Sequence, residues 1–263
     1  MLAPSILKPW TFQKWAGEPC NPDIQAVHIR YLSLSSVLTQ AIVKRCREEK
    51  TTMTNLLNAL CATSLARRVP LAQRQGFVNL TVVSLRPWIS DNVHSNKNYM
   101  TNCASSHAQE FGHDILAKIR LAGDATVWEL AVELRRDMKR RTDSMPHNEF
   151  SYLFRYASHW RDVFQARYGK PRRELGTLSN LGSIAAPASK GPWELENILL
   201  AQFAPIFSSA LTVNAASVEG GAMVVSLVWQ DGILETELVQ GVRDDLEMWL
   251  LNLGKEGKLG ISS

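Results

Sequence analysis

In the first third of the chain, the spacing of hydrophobic residues alternates between the two-residue period of a strand and the 3.6-residue period of a helix. Alternation predicts a short strand near Ala26 to Leu32 and a second strand from Phe77 to Leu85. Between them, Ser35 is the predicted N-cap of a helix that reaches about Glu49, and Thr54 is that of a second helix. The second helix carries a clear apolar stripe, formed by Leu56, Leu57, Leu60, Cys61, Ser64 and Leu65.

The middle of the chain combines a polar stretch, a helix and an aromatic segment. Residues Ser90 to Gly112 are rich in Asn, Ser and His and predict a long connection. Apolar residues at helical spacing predict a helix over Thr126 to Met138. Asn148 to Arg167 is dense in aromatic residues, which either line a substrate pocket or pack in the core.

The last third of the chain is the strongest β region. Glu174 to Ser179 predicts a strand that enters a turn at Asn180-Leu-Gly182, and Trp193 to Ala201 predicts another strand. A hairpin is predicted from Ser208 to Val218 and Ala222 to Trp229, around Glu219-Gly-Gly221. A final helix from about Glu237 to Leu253 is expected to end at Gly254 and to cover the sheet.

No repeat or linker divides the 263 residues, so one α/β domain is expected over residues 1–263. Within it we expect an irregular N-terminal segment at 1–24, a core at 25–253 and a tail at 254–263. The expected class is α/β, with a mixed, largely antiparallel sheet covered by helices.

Composition narrows the class of protein. A hydrophobic content of 45% and a charged content of 21% are ordinary for a soluble globular chain. With no apolar run of membrane-spanning length and no basic leader, a cytoplasmic location is expected. The cysteines, at positions 20, 46, 61 and 103, lack Cys-x-x-Cys spacing, which argues against a disulfide framework or a zinc site.

The net charge of +4 includes a cluster of basic residues in the predicted middle helix. They lie mainly opposite its apolar stripe, which favours a solvated face, and no nucleic-acid-binding signature accompanies them. His94, His107 and His113 show no metal-binding spacing and are interpreted as loop histidines. Neither a metal nor a nucleic-acid partner is therefore expected. The basic residues are Arg135, Arg136, Lys139, Arg140 and Arg141.

Four stretches resemble the C-terminal half of fungal alcohol acetyltransferase-like proteins, in the chloramphenicol acetyltransferase and condensation-domain superfamily. They are residues 33–68, Val82-Val-Ser-Leu-Arg-Pro87, Gly176-Thr-Leu-Ser-Asn-Leu-Gly182 and residues 217–232. The resemblance implies one half of a two-half acyltransferase fold. It also implies acyl transfer from coenzyme A to an alcohol, with a His-x-x-x-Asp histidine in the other half as general base.

This chain contains no His-x-x-x-Asp sequence, because none of its six histidines is followed by Asp four residues later. The nearest arrangement is His159-Trp-Arg-Asp162, in which a one-residue offset rotates the carboxylate by roughly 100° on a helix. Ser179 lacks a Gly-x-Ser-x-Gly setting, and no dinucleotide or phosphate-loop signature is present.

Three hypotheses follow, of which we favour the first. The scaffold binds a hydrophobic terpenoid or polyketide intermediate and catalyses a cofactor-free cyclisation of the Diels–Alder type, by shape and hydrogen bonding. Alternatively, it is an O-acyltransferase that uses a coenzyme A thioester, with a base from a partner half or from His159. The third hypothesis is a non-catalytic binding or partner subunit.

The candidate site lies between the sheet and the aromatic segment. Tyr152, Phe154, Tyr156 and Trp160 are the expected walls, and Thr177, Ser179 and Asn180 are the expected polar anchors. For each residue a purely structural role stays open; Asn180, for example, also suits a turn. Since one half of such a fold leaves a face to cover, a homodimer is expected as well.

Overall fold

The computed structural model describes residues 15–262 except 25, 70–75, 89–101, 122, 146, 148, 150–155, 157–158, 186–192 and 203–205. The strands of this part form one mixed sheet in the order β1-β6-β5-β4-β2-β3. Neighbours are antiparallel except β4, which runs parallel to both β2 and β5. The expected mixed, largely antiparallel sheet is confirmed. The strands are β1 Val27–Leu34, β2 Gly76–Ser84, β3 Ala104–Gly112, β4 Gly176–Ile184, β5 Leu211–Val218 and β6 Met223–Gln230.

Five helices, α1 to α4 and α6, cover one face of this sheet, which we call the helix face. Central among them is α2, whose residues from Asn55 to Ala66 are all buried. The helix face contributes Leu32, Leu178, Val213 and Trp229 to the same core cluster as Leu60. The helices are α1 Ser36–Glu48, α2 Met53–Arg68, α3 His113–Arg120, α4 Asp124–Asp143, the short α5 Trp160–Gln165 and α6 Thr236–Glu256.

The N-cap of α1 is Ser35, as predicted, but α2 begins two residues earlier than the sequence suggested. Thr52, which has extended backbone angles, accepts a hydrogen bond from the Asn55 backbone N–H at 3.4 Å. Thr54, the predicted cap, lies inside the first turn of the helix. Both are threonines, so residue type alone did not separate them.

The predicted end of α6 at Gly254 is wrong, because the helix continues to Glu256 and ends at Gly257. Gly257 has φ 72°, and its N–H donates to the Leu253 carbonyl at 3.0 Å. Gly254 is instead a close-packing position: a Cβ there would lie 2.7 Å from Leu38 Cδ2. Beyond the helix, the backbone N–H groups of Leu259 and Ile261 donate to Asp124 at 2.8 Å.

The prediction of a long connection over Ser90 to Gly112 is wrong for its second half. Residues 104–112 form β3 and pair along their whole length with β2, whereas 89–101 lie outside the described residues. The strand looks polar because its inward side chains bond to polar side chains elsewhere in the chain: Ser105 to Glu149, His107 to Asp137, and Gln109 to Asn58.

Two further β predictions need correction. The expected turn at Asn180-Leu-Gly182 is an irregularity within β4, where the register with β5 shifts between Asn180 and Ser183. Gly182 has φ 71°, which suits glycine. Residues 193–202 are not in a strand. The hairpin of β5 and β6 is confirmed.

Candidate functional site

The opposite face of the sheet, which we call the polar face, carries hydroxyl and amide side chains on its central strands. Register pairs Thr177 with Thr212 across β4 and β5, and pairs Ser179 with Asn214 in the same two strands. Asn214 in turn lies opposite Ser226 of β6. Because alternate strand residues point to opposite faces, these side chains form one belt on the side away from the helices.

An extended segment, residues 193–202, lies on this belt, and we call it the strap. Ser226 Oγ donates to the carbonyl of Leu200 at 2.5 Å, which fixes the C-terminal part of the strap to β6. Within the described part of the strap, the outward side chains are strongly exposed: Trp193 by 85% and Leu199 by 51%. The strap thus covers buried polar groups while exposing apolar side chains beside Glu194 and Glu196.

Arg172 holds one end of the polar face together. Its guanidinium donates to the carbonyls of Glu18, Ser208 and Ser209 at 3.0–3.3 Å, and to Gln230 Oε1 at 2.9 Å. Burial lowers the pKa of Arg172 below the ordinary value of an arginine. These bonds connect the N-terminal segment, the start of β5 and the end of β6. The sequence showed only one more arginine in a Pro-Arg-Arg run, so no pattern pointed to this role.

The predicted polar anchors do not share one face. Thr177 and Ser179 lie on the polar face, and the Thr177 hydroxyl bonds to Ser209 Oγ at 2.7 Å. Asn180 points to the other side: its Nδ2 donates to Thr54 Oγ1 at 3.0 Å, and its Oδ1 accepts from the Gly182 N–H at 2.8 Å. The side chain of Asn180 therefore closes its own turn and ties β4 to α2.

The predicted aromatic walls are placed only in part. Tyr152 and Phe154 lie outside the described residues, and Tyr156 is 70% exposed. Trp160 belongs to α5 and packs against Phe164 with ring centroids 5.8 Å apart. Phe164 stacks on Phe207 at 5.1 Å, and Tyr168 stacks on Phe207 at 5.3 Å. We call Trp160, Phe164, Tyr168 and Phe207 the aromatic cluster; its first three members are each about two-fifths exposed.

Sequence reasoning missed two polar side chains on β5. Thr212 is 3% exposed and Asn214 is fully buried. Asn214 Nδ2 donates to Ser226 Oγ at 3.2 Å, but within the described structure Asn214 Oδ1 and Thr212 Oγ1 have no hydrogen-bond partner. The alternation of the hairpin arm placed both residues on one face, but only the fold shows that this face is buried.

The structure also contains two His–Asp contacts that no sequence motif predicted. His107 Nε2 lies 2.6 Å from Asp137 Oδ2, and His28 Nε2 lies 2.8 Å from Asp231 Oδ1. The hydrogen bond from His107 lowers the pKa of Asp137 below its usual 3.8, with a smaller contribution from Arg140. Both histidines belong to the helix-face register and not to the polar face. His159 is exposed, and among the described residues no carboxylate forms an ion pair with it.

Other expected features are placed as follows. All four cysteines are free thiols, and burial raises the pKa of Cys46 and Cys61 to about 12. Arg141 departs from the expected solvated face, since its Nη2 lies 2.6 Å from buried Glu149 Oε2. Searching the described residues finds no group of three potential metal ligands, and no helix among them is long and apolar enough to cross a membrane.

Comparison with known proteins gives a family and a fold. The model of the alcohol acetyltransferase family matches residues 1–240. A probable alcohol acetyltransferase from Fusarium pseudograminearum is 80% identical over 263 residues, which are 100% of this chain and 54% of that protein. Another, from Aspergillus fumigatus, is 23% identical over 88% of this chain and 51% of its own length. The chain thus spans about half the length of the curated relatives it matches.

Solved structures share the fold at low identity. A trichothecene 15-O-acetyltransferase from Fusarium sporotrichioides superposes with a TM-score of 0.64 at 15% identity, over 87% of this chain and 48% of its own. The condensation domain of the monacolin K polyketide synthase gives a TM-score of 0.58 at 13% identity, over 92% of this chain and 50% of its own. Again about half of each known structure is matched.

Proposed function

This chain belongs to the alcohol acetyltransferase family, and from that membership we propose that it forms one half of an O-acetyltransferase. The general base then comes from a complementary half, because the sequence itself contains no His-x-x-x-Asp. The observation that carries the proposal is the 80% identity over all of this chain and only 54% of a probable alcohol acetyltransferase.

The polar face is the surface that we assign to the complementary half. Besides the strap, it includes the outer side chains of β1, where Ile29 is 38% and Tyr31 is 57% exposed. The aromatic cluster adds three half-exposed rings. We infer an interface from these exposed side chains, because large exposed apolar patches are typical of protein interfaces. Two halves that meet here would enclose the polar belt between them.

The proposed reaction moves an acetyl group from the sulfur of acetyl-coenzyme A to an alcohol oxygen. A base in the complementary half removes the hydroxyl proton, the oxygen attacks the thioester carbonyl, a C–O bond forms and the C–S bond breaks, which releases the thiol. General-base assistance contributes about 10² to 10⁴ in rate. The role of this chain is to form one wall of the cleft, to exclude water and to orient the alcohol through the polar belt.

For the acceptor we propose a hydrophobic natural-product alcohol, since exposed aromatic and aliphatic side chains lie on the strap, on β1 and in the aromatic cluster. A trichothecene acetyltransferase has the same fold, which supports this choice. Both coenzyme A and the alcohol are substrates in this scheme. His159, on exposed α5, is the base of the alternative in which the chain acts alone.

The test measures thiol release from acetyl-coenzyme A with a terpenoid alcohol as acceptor. Wild-type chain is assayed alone, and again with the part of the Fusarium pseudograminearum relative that this chain does not cover. We expect release only from the combination, and we expect His159→Ala to leave it unchanged. If the chain alone releases thiol and His159→Ala abolishes that release, the general base belongs to this chain. No release from a demonstrated complex would contradict acetyl transfer.

The base-free cyclisation inferred from the sequence is the second candidate, and the missing His-x-x-x-Asp is what favours it. A homodimer is its structural counterpart, since a second copy would then cover the polar face. Light scattering separates the two: a dimer of the chain that persists when the complementary part is added supports this candidate. A 1:1 complex of the two parts supports acetyl transfer.

A further inference from the structure

Thr212 and Thr177 provide a comparison within one register pair of the polar face. They lie opposite each other in neighbouring strands, yet the Thr177 hydroxyl is bonded to Ser209 at 2.7 Å while the Thr212 hydroxyl has no partner among the described residues. Two residues further along β5, Asn214 Oδ1 also has no hydrogen-bond partner among the described residues. Buried polar atoms without a partner are costly, and native proteins keep few of them.

One unpartnered buried atom on the helix face, Asn79 Oδ1, has a local explanation. Asn79 Oδ1 faces Gly176, where a Cβ would lie only 2.7 Å away, beside a cavity of about 10 Å³ that both residues line. A cavity of that size holds about one water molecule. Thr212 and Asn214 differ because they are adjacent on one face of one strand, beside a strap that is fixed by a side chain of the neighbouring strand.

We propose that Thr212 and Asn214 bind the alcohol substrate through a second polar group, separate from the hydroxyl that is acetylated. This inference rests on the proposed function and names positioning residues for it. Asn214 Oδ1 can only accept, so the ligand supplies an O–H or N–H donor; the Thr212 hydroxyl both donates and accepts. The preferred acceptor is therefore a diol or an amino alcohol with an apolar body.

Thr212 and Asn214 are buried beneath the strap, so the alcohol reaches them only when the strap moves away. The Cα atoms of Thr212 and Asn214 are separated by roughly 7 Å, and both side chains must lean towards one polar group of the ligand to bond to it together. Ser179, buried and directly opposite Asn214, continues the same polar surface onto β4. A mono-alcohol of equal size would leave both atoms unpaired, and sites with such unpaired groups discriminate strongly against the poorer ligand.

The test compares two probes, 1-phenyl-1,2-ethanediol and 2-phenylethanol, which differ by one hydroxyl group. Their dissociation constants are measured by NMR titration of the full chain, in the wild type and in Thr212→Val. We expect the wild type to prefer the diol by about ten-fold, which corresponds to one hydrogen bond. Thr212→Val, which keeps the shape and removes the hydroxyl, reduces the preference to about two-fold or less.

The matched control is Thr63→Val, at a buried threonine of α2 whose hydroxyl donates to the Ala59 carbonyl at 2.8 Å. It should lower the melting temperature and leave the diol preference intact. Thr212→Val should leave the melting temperature unchanged or raise it, since it removes an unpartnered hydroxyl. An equal affinity of the wild type for both probes, or a preference that survives Thr212→Val, would overturn the inference.

An acetylation assay distinguishes a failure of this inference from a failure of the proposed function. If the assembled halves acetylate alcohols without regard to the second hydroxyl, the role of Thr212 and Asn214 is wrong and acetyl transfer stands. If the diol preference depends on Thr212 but no thiol is released, the binding site stands and acetyl transfer is wrong.

Discussion

The two faces of this sheet are covered in different ways. On the helix face, five helices bury an apolar core, and a polar network runs through it: Asn58 Nδ2 donates to Gln109 Oε1, and Asn79 Nδ2 donates to Asn58 Oδ1 at 3.0 Å. On the polar face, the described cover is a thin strap whose largest side chain, Trp193, is 85% exposed. The helix face is thus covered by packed helices, whereas the cover of the polar face among the described residues is a segment without helix or strand.

The largest expected effect is a loss of stability on the helix face. Leu60 is fully buried on α2, and Leu60→Ala should destabilise the chain by about 2–5 kcal/mol. Leu199→Ala, in the half-exposed strap, is the matched control and should change stability by less than about 0.5 kcal/mol. Urea unfolding of the two variants measures both. Equal losses would show that the strap side chains pack as tightly as the core, and would break the comparison.

The buried polar network on the helix face should give the next largest effect. Gln109→Leu removes the acceptor of both Asn58 Nδ2 and the Thr81 hydroxyl, which lies 2.9 Å away, and leaves these donors without their partner. We expect a loss of about 1–3 kcal/mol. The exposed Gln40, on α1, provides the control, since Gln40→Leu removes only an exposed contact to Ser36. A neutral Gln109→Leu would mean that the network does not stabilise this face.

A smaller effect is expected from the acid dependence of stability. Since His107 lowers the pKa of Asp137, the carboxylate contributes stability that is fully present above pH 3.8 and is lost as the pH falls through the lowered value. Asp137→Asn should therefore reduce stability at neutral pH and flatten its decline below about pH 4. Thermal melts from pH 2.5 to 7 provide the measurement. An unchanged acid limb in Asp137→Asn would contradict the contribution of this pair.

Much of the fold followed from periodicity, because the helix face obeys simple rules. The stripe on α2, the Ser35 cap and the β5–β6 hairpin all appear where local patterns place them. Prediction failed at β3. Its inward residues are polar, and their partners lie far away along the chain, so no local pattern reveals that they are buried. Gln109, for example, bonds to Asn58, 51 positions earlier. Periodicity detects hydrophobic burial and not polar burial.

The candidate site was less predictable than the fold. The segment Gly176 to Gly182 drew attention through resemblance, yet Asn180 is engaged by its own turn and by Thr54. Thr212 and Asn214, by contrast, looked like ordinary outward residues of a hairpin arm. Whether such a residue is solvated depends on what covers the sheet, and that cover comes from a distant segment without any strand or helix pattern.

The central claim is that the polar face is completed by a complementary half of the enzyme. Amide hydrogen exchange, measured on the chain alone and with the uncovered part of the Fusarium pseudograminearum relative, tests it most directly. We predict new protection in the strap, in β1 and around the aromatic cluster, with exchange in α2 and α4 unchanged. Protection confined to the outer surfaces of α4 and α6, or no protection at all, would contradict the claim.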